Sequence, residues 1–212
     1  MSAPSQDPAP ARLRVDYPEE GLDRTSTLLR LLYAIPVAVL LGLIGHMNGP
    51  SFGGEDAVQI GTFGGGVLVL PVLLTIVFRQ KYPRWWFDFN LQLARFSARV
   101  LAYLSLMTDR YPSVDEEQSV HLDLAYPDAR EDLNRWMPLV KWLLAVPHYV
   151  VLLFLGIASV VATVIAWFAI LFTGRYPRGL FDFVEGVLRW KLRVEAYALL
   201  LITDRYPPFS LR

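Results

Sequence analysis

The sequence predicts an all-α integral membrane protein built from two tandem parallel repeats. Each repeat reads as a short strand, a transmembrane helical hairpin and an amphipathic interfacial helix. Three observations carry that prediction. KYPRWWFDF at 81–89 returns as RYPRGLFDF at 175–183. The 212-residue chain is 54% hydrophobic and only 19% charged, below the roughly 25% charged residues of ordinary soluble domains. A short alternating stretch stands ahead of the apolar segments in both halves.

The repeat comes first because it organises every later step. Tyr82/Tyr176, Pro83/Pro177, Arg84/Arg178, Phe87/Phe181, Asp88/Asp182, Arg95/Arg189, Arg99/Arg193 and Tyr103/Tyr197 share one offset of 94 residues. One extra residue then enters the second copy, and TDRYP at 108–112 meets TDRYP at 203–207. Upstream, Pro36 matches Pro147 and Tyr17 matches Tyr126. The copies span 12–115 and 119–210, preceded by a Pro/Ala/Ser-rich tail at 1–11 that reads as disordered and lacks the pattern of a cleavable signal.

Each copy opens with a strand. Leu13, Val15 and Tyr17 alternate with polar residues, as do Val120, Leu122, Leu124 and Tyr126, the period of a strand with one covered face. Two such strands are marginal alone, so they are expected to pair with each other.

The hairpins follow. Residues 28–45 hold one charge, Arg30, and residues 60–78 hold none; each spans about 27–29 Å as a helix, close to a bilayer core. In the second copy Pro138 to Thr173 is apolar apart from Lys141 and His148. That run is too long for one span, and Gly156 to Ser159 reads as a tight turn dividing it into two short helices.

A more polar helix closes each copy, over 84–108 and 178–203. Arg95 and Arg99, like Arg189 and Arg193, stand one turn apart on one face, with apolar residues on another. This is the pattern of a helix lying in the membrane interface. Lys and Arg gather at the open ends of the hairpins, while the loop at 46–59 has none. Both termini are therefore expected in the cytoplasm, with a pseudo-twofold axis along the membrane normal.

Six of the ten tyrosines precede a proline. Proline suits the first turn of a helix and restricts the residue before it, so Pro83 and Pro177 should start the interfacial helices. Pro112 and Pro207 should stop those helices. The tyrosines themselves read as corner posts in an aromatic belt at the membrane surface.

The inventory of chemistry is short. The chain has no cysteine, hence no disulfide or thiol nucleophile, and a net charge of zero that gives no reason to expect nucleic acid. His46, His121 and His148 share no metal-site spacing, and no phosphate-binding loop or nucleophile elbow occurs. GTFGGG at 61–66 offers at most a close-packing G-x-x-x-G. No cofactor, metal or catalytic residue is expected. The polar constellation that recurs is Asp88, Arg95, Arg99, Asp109 and Arg110, then Asp182, Arg189, Arg193, Asp204 and Arg205. It reads either as a structural network around TDRYP or as a binding face for lipid phosphates. His148 is the intramembrane polar residue, a functional candidate or a helix–helix hydrogen bond.

RYPRGLFDF, then VLRWKLRVEAYALLLITDRYPPF at 187–209 and the earlier PHYVVLLFLGIA, resemble the DUF4389 family of bacterial membrane proteins. The first copy is similar more loosely: Val37-Ala38 follows its Pro36, where His148 follows Pro147, and WW replaces GL. The family has no assigned function, so the resemblance implies a membrane fold, in the bacterial inner (cytoplasmic) membrane, and no catalytic residues.

The expected function is a non-catalytic, multi-pass membrane protein acting as scaffold or accessory subunit of a larger assembly. The alternative is a lipid-binding or small-solute transport protein using the repeat interface; a headgroup enzyme using Asp88 and Asp182 stands third because no nucleophile has a base. Expected partners are membrane lipids, anionic ones among them, and a membrane protein or a second copy.

Overall fold

The computed structural model describes residues 10–19, 21–30, 33, 35–36, 65–113, 116 and 118–212. The expectations for residues 1–9, most of the first hairpin, the 46–59 loop with His46, and Gly61 of the glycine stretch lie outside the described residues.

Two strands, β1 (Ala11–Val15) and β2 (Val120–Leu124), pair antiparallel in register Leu13↔Leu122. The alternation in sequence is the alternation in burial: Leu13, Val15, Val120 and Leu122 face inward, while Arg12, Arg14, His121 and Asp123 face out. The expected pairing holds. This ribbon joins segments more than 100 residues apart, and the other regular elements among the described residues are helices. The helices are α1 (residues 24–30), α2 (Gly65–Arg79), α3 (Arg84–Leu104), α4 (Met137–Leu144), α5 (Val146–Thr173) and α6 (Arg178–Ala198).

The helix starts follow the proline chemistry, but the ends do not. Helices α3 and α6 stop at Leu104 and Ala198, well before Pro112 and Pro207, and left-handed leucines turn the chain instead. Pro83 and Pro177, both extended, precede the first residues of α3 and α6. Leu106 and Leu201 then adopt left-handed backbone, φ 63° and 56°, a conformation that costs a side-chain-bearing residue about 1–2 kcal/mol. Both leucine side chains are buried, which offsets that cost. The closing hydrogen bonds run from Met107 to Ala102 and from Ile202 to Ala196. The second turn is one residue wider, and there the extra residue of the second half is absorbed.

Two further expectations need correction. Gly156 and Ser159 do not form a turn: α5 runs unbroken for 28 residues, about 42 Å at helical rise. A turn there would strip backbone groups of partners in an apolar setting, whereas glycine inside a helix costs only about 1 kcal/mol. The break lies earlier, at Ala145, where α4 ends and Pro147 enters the first turn of α5. The second correction concerns α6, expected on the surface as an interfacial helix. Phe181, Val184, Val187, Trp190, Leu192, Val194, Ala196 and Tyr197 are buried on several sides of it, because α5 covers one flank and β1 another. Helix α3, which carries β2, stays more open, with Trp85 and Phe89 exposed.

The helices therefore support strands from the opposite half of the chain: α6 holds β1 and α3 holds β2. Gly174 ends α5 in a left-handed cap, φ 73°, its N–H bonded to Ile170 O. Gly21 abuts it so closely that a Cβ there would sit 2.8 Å from Gly174 O. Chain from the first half is thereby seated on the end of α5, and the Leu22 N–H bonds to the same carbonyl.

Candidate functional site

The polar groups collect at two corners where a TDRYP stretch meets the start of an apolar helix. At the first, Arg30 of α1 is buried and its Nη1 donates to Tyr103 O at 3.1 Å and Thr108 O at 2.8 Å. Its Nη2 pairs with Asp109 Oδ1, and the guanidinium lies 4.6 Å from the Tyr103 ring centroid. The other Asp109 oxygen accepts the Asp23 N–H at 2.8 Å, just before α1 begins.

At the second corner Lys141 of α4 is 0% exposed. Its Nζ donates to Thr203 O at 2.7 Å, pairs with Asp204 Oδ1 at 2.7 Å, and lies 5.2 Å from the Tyr197 ring. Asp204 Oδ2 accepts the Asn134 N–H at 2.6 Å. The parallel extends to the turn: Thr108 Oγ1 accepts from Arg110 N–H, and Thr203 Oγ1 from Arg205 N–H. Tyr111 packs edge-on to Tyr103, and Tyr206 to Tyr197. In each TDRYP, threonine closes the turn, aspartate clamps a buried cation and a helix start, and tyrosine packs back onto the preceding helix. Burial pushes the Tyr103 and Tyr197 hydroxyls up from their ordinary range.

The four arginines expected on one face are engaged within the chain. Arg95 Nε donates to Leu122 O at 2.9 Å and its Nη2 pairs with Asp123 at 3.0 Å. Arg189 Nε donates to Leu13 O at 3.1 Å, and its Nη2 pairs with Glu185 at 2.8 Å, whose Oε1 also accepts the Val15 N–H. Both arginines thus close outer edges of the strand ribbon, where unpaired backbone would otherwise remain. Arg99 Nη1 donates to Ser113 O at 2.6 Å, and Arg193 Nη2 to Ser210 O. Burial, then the neighbouring Arg189, lowers Arg193 from its usual value. Asp88, Asp182, Arg110 and Arg205 are exposed.

His148 is buried between α5, α6 and the chain end. Its Nδ1 accepts from Trp190 Nε1 at 3.2 Å, and its ring stacks on Phe209 at 4.0 Å. This is the helix–helix hydrogen bond of the two readings.

The corner tyrosines are not belt residues throughout. Tyr82 and Tyr176 are buried, and burial raises both hydroxyls, Tyr176 to about 12. Tyr17 Oη donates to Tyr176 O at 2.5 Å and Tyr126 Oη to Tyr82 O at 2.6 Å. Sequence reasoning left these bonds out, along with the cations Arg30 and Lys141. The second omission was avoidable: 30 and 141 share the 111-residue offset of Pro36 and Pro147, and a charge inside an apolar segment needs a partner.

Among the described residues no group of histidines and carboxylates is arranged to hold a metal. An open depression of about 500 Å³ on the outer ribbon face is lined by Arg12, Leu13, Arg14, Asp16, His121 and Asp123, where Asp16 pairs with His121 at 2.9 Å.

One helical stretch among the described residues, Met137–Thr173, is long and apolar enough to cross a membrane, and only 11% of its most apolar window is buried. Phe154, Ile157, Val160, Val161, Ile165 and Phe172 present an outward apolar face, far more than a soluble surface carries, and this associates the chain with a membrane. Residues 135–210 match the sequence model of a family described as a domain of unknown function, DUF4389. The match takes in α4, α5, α6 and the Lys141–Asp204 corner. No curated protein and no solved structure matches the chain.

Proposed function

We propose that the chain is a non-catalytic, multi-pass protein of the bacterial inner membrane, acting as a scaffold or accessory subunit. We read it as a tandem duplication whose halves have exchanged strands, with both termini in the cytoplasm. The observation that carries the reading is the use of its polar groups. Arg95, Arg99, Asp109, Arg189, Arg193 and Asp204 each bond the chain's own backbone or join an internal ion pair, while the outward face of α5 is apolar. Such a molecule offers surface rather than chemistry.

The recurrence of contacts supports the duplication. Arg95 on Leu122 and Arg189 on Leu13, Tyr17 on Tyr176 and Tyr126 on Tyr82, Arg30 with Asp109 and Lys141 with Asp204 are related by the sequence offsets. The docking of β1 and Ser210 on the same helix, α6, through Arg189 and Arg193, supports a shared side for the two termini.

The test is extraction of the full-length protein at native abundance in lipid nanodiscs, followed by mass spectrometry. A protein partner recovered at fixed stoichiometry is the expected result. Recovery as a lone monomer, in every mild condition, would contradict the scaffold reading.

A further inference from the structure

We infer that Arg84 and Arg178 each seat the phosphate of an anionic membrane lipid. Among the arginines first suspected of that role, Arg95, Arg99, Arg189 and Arg193 each commit a donor to a backbone carbonyl of the chain itself. Arg84 and Arg178 differ. The Arg178 guanidinium lies 4.4 Å from the Tyr17 ring centroid with its side chain 70% exposed, and Arg84 lies 5.5 Å from that of Tyr126 and is also exposed. Stacking on a ring sets the plane of a guanidinium and leaves its edge donors available.

The rings are themselves fixed. Each tyrosine hydroxyl is bonded to a carbonyl of the opposite half, and each ring meets a phenylalanine edge at 5.1 Å, Tyr17 on Phe181 and Tyr126 on Phe87. Both arginines are therefore pre-organised, unlike an ordinary surface arginine that loses side-chain freedom on binding. Among the described residues Glu19 is the carboxylate paired with Arg178, at 3.7 Å and itself exposed, too long for a hydrogen bond. A phosphate diester supplies the charge and the paired oxygens that a guanidinium fork matches.

The surroundings choose a lipid over a soluble phosphate. Phe78, 73% exposed, lies in the last turn of α2, and Trp85, 68% exposed, follows Arg84; Phe172, 78% exposed, lies in the last turn of α5 ahead of Arg178. Phosphate-binding cations thus stand beside apolar side chains that acyl chains would cover. This inference rests on the membrane placement proposed above, but not on a protein partner.

The experiment is native mass spectrometry of the full chain released from nanodiscs of equal phosphatidylcholine and phosphatidylglycerol. The wild type should retain two phosphatidylglycerol molecules, each favoured about fivefold over phosphatidylcholine. Arg84→Gln and Arg178→Gln should each lose one, and their combination both. Arg12→Gln/Arg14→Gln, which removes equal charge from the ribbon face, should lose none. Arg84→Lys/Arg178→Lys, the milder pair, should weaken retention if the glutamine pair does not assemble. Equal retention of the two lipids, or equal loss in the ribbon variant, would overturn the inference while leaving the membrane reading intact. Displacement of phosphatidylglycerol by millimolar inorganic phosphate would overturn the lipid as the ligand. Failure to enter nanodiscs of either lipid would overturn the membrane reading instead.

Discussion

The Tyr17 hydroxyl donates to the carbonyl of Tyr176 across 159 residues of chain. Its counterpart, Tyr126 on Tyr82, crosses in the opposite sense, so each half supplies one hydroxyl and one carbonyl to a reciprocal latch. Tyr17→Phe and Tyr126→Phe each remove one bond and almost no volume. Each should lower stability by about 1 kcal/mol. The two sites share no partner, so the double variant should lose close to the sum. Thermal unfolding in detergent reads both.

Lys141 and Arg30 do the same work with different chemistry. Lys141→Met leaves Asp204, only 21% exposed, without its cation, and should cost about 3 kcal/mol. Lys141→Arg should cost far less, because Arg30 meets Asp109 in the matching geometry. Equal losses in the two variants would mean that the ion pair contributes little and that the aliphatic stem carries the site.

Tyr176 makes stability depend on alkaline pH. Its hydroxyl ordinarily ionises near 10 and burial raises it to about 12. Between those values the unfolded chain sheds a proton that the folded chain keeps, so stability falls as pH rises. The contribution is complete below pH 10 and lost on passing through 12. Two pH units correspond to about 3 kcal/mol at most. Buried Tyr82 shifts in the same direction. Melting temperatures recorded from pH 8 to 12 should stay level to about 10 and then drop, with a shallower fall in Tyr176→Phe.

The chain end is held against α6 by close backbone contact. A Cβ on Gly186 would lie 2.8 Å from Leu211 O and 3.0 Å from Leu211 Cβ. Gly186→Ala should therefore displace residues 208–212, which Arg193 and the Phe209–His148 stack also hold. Carboxypeptidase should then trim the variant faster than the wild type, with a stability loss of about 1–3 kcal/mol.

Local chemistry was legible in the sequence; long-range contact was less so. Alternation at Leu13 and Leu122 identified the strands, and Pro83 and Pro177 marked the starts of α3 and α6, because both signals act over a few residues. Gly156 misled, since a glycine that opens a turn in water is tolerated inside a helix where backbone groups have no solvent partner. The tyrosine rings misled for another reason. Whether a Tyr-Pro corner faces lipid or protein is decided by chain 44 to 159 residues away. Arg95 and Arg189 were found as a pair, but their partners are strand carbonyls, which carry no side-chain signature. DUF4389, matched over the second half alone, adds no chemistry to either corner.

The whole account depends on the outward face of α5 lying in lipid, and the chain has no native cysteine to obscure a test. Single cysteines placed at Phe154, Ile157, Val161 and Phe168 should resist a water-soluble maleimide in intact vesicles and react only after detergent is added. Cysteines at Arg14 and Asp123, on the polar ribbon, should react wherever the reagent reaches that side. Rapid labelling along α5 in intact vesicles would place that face in water and contradict the account.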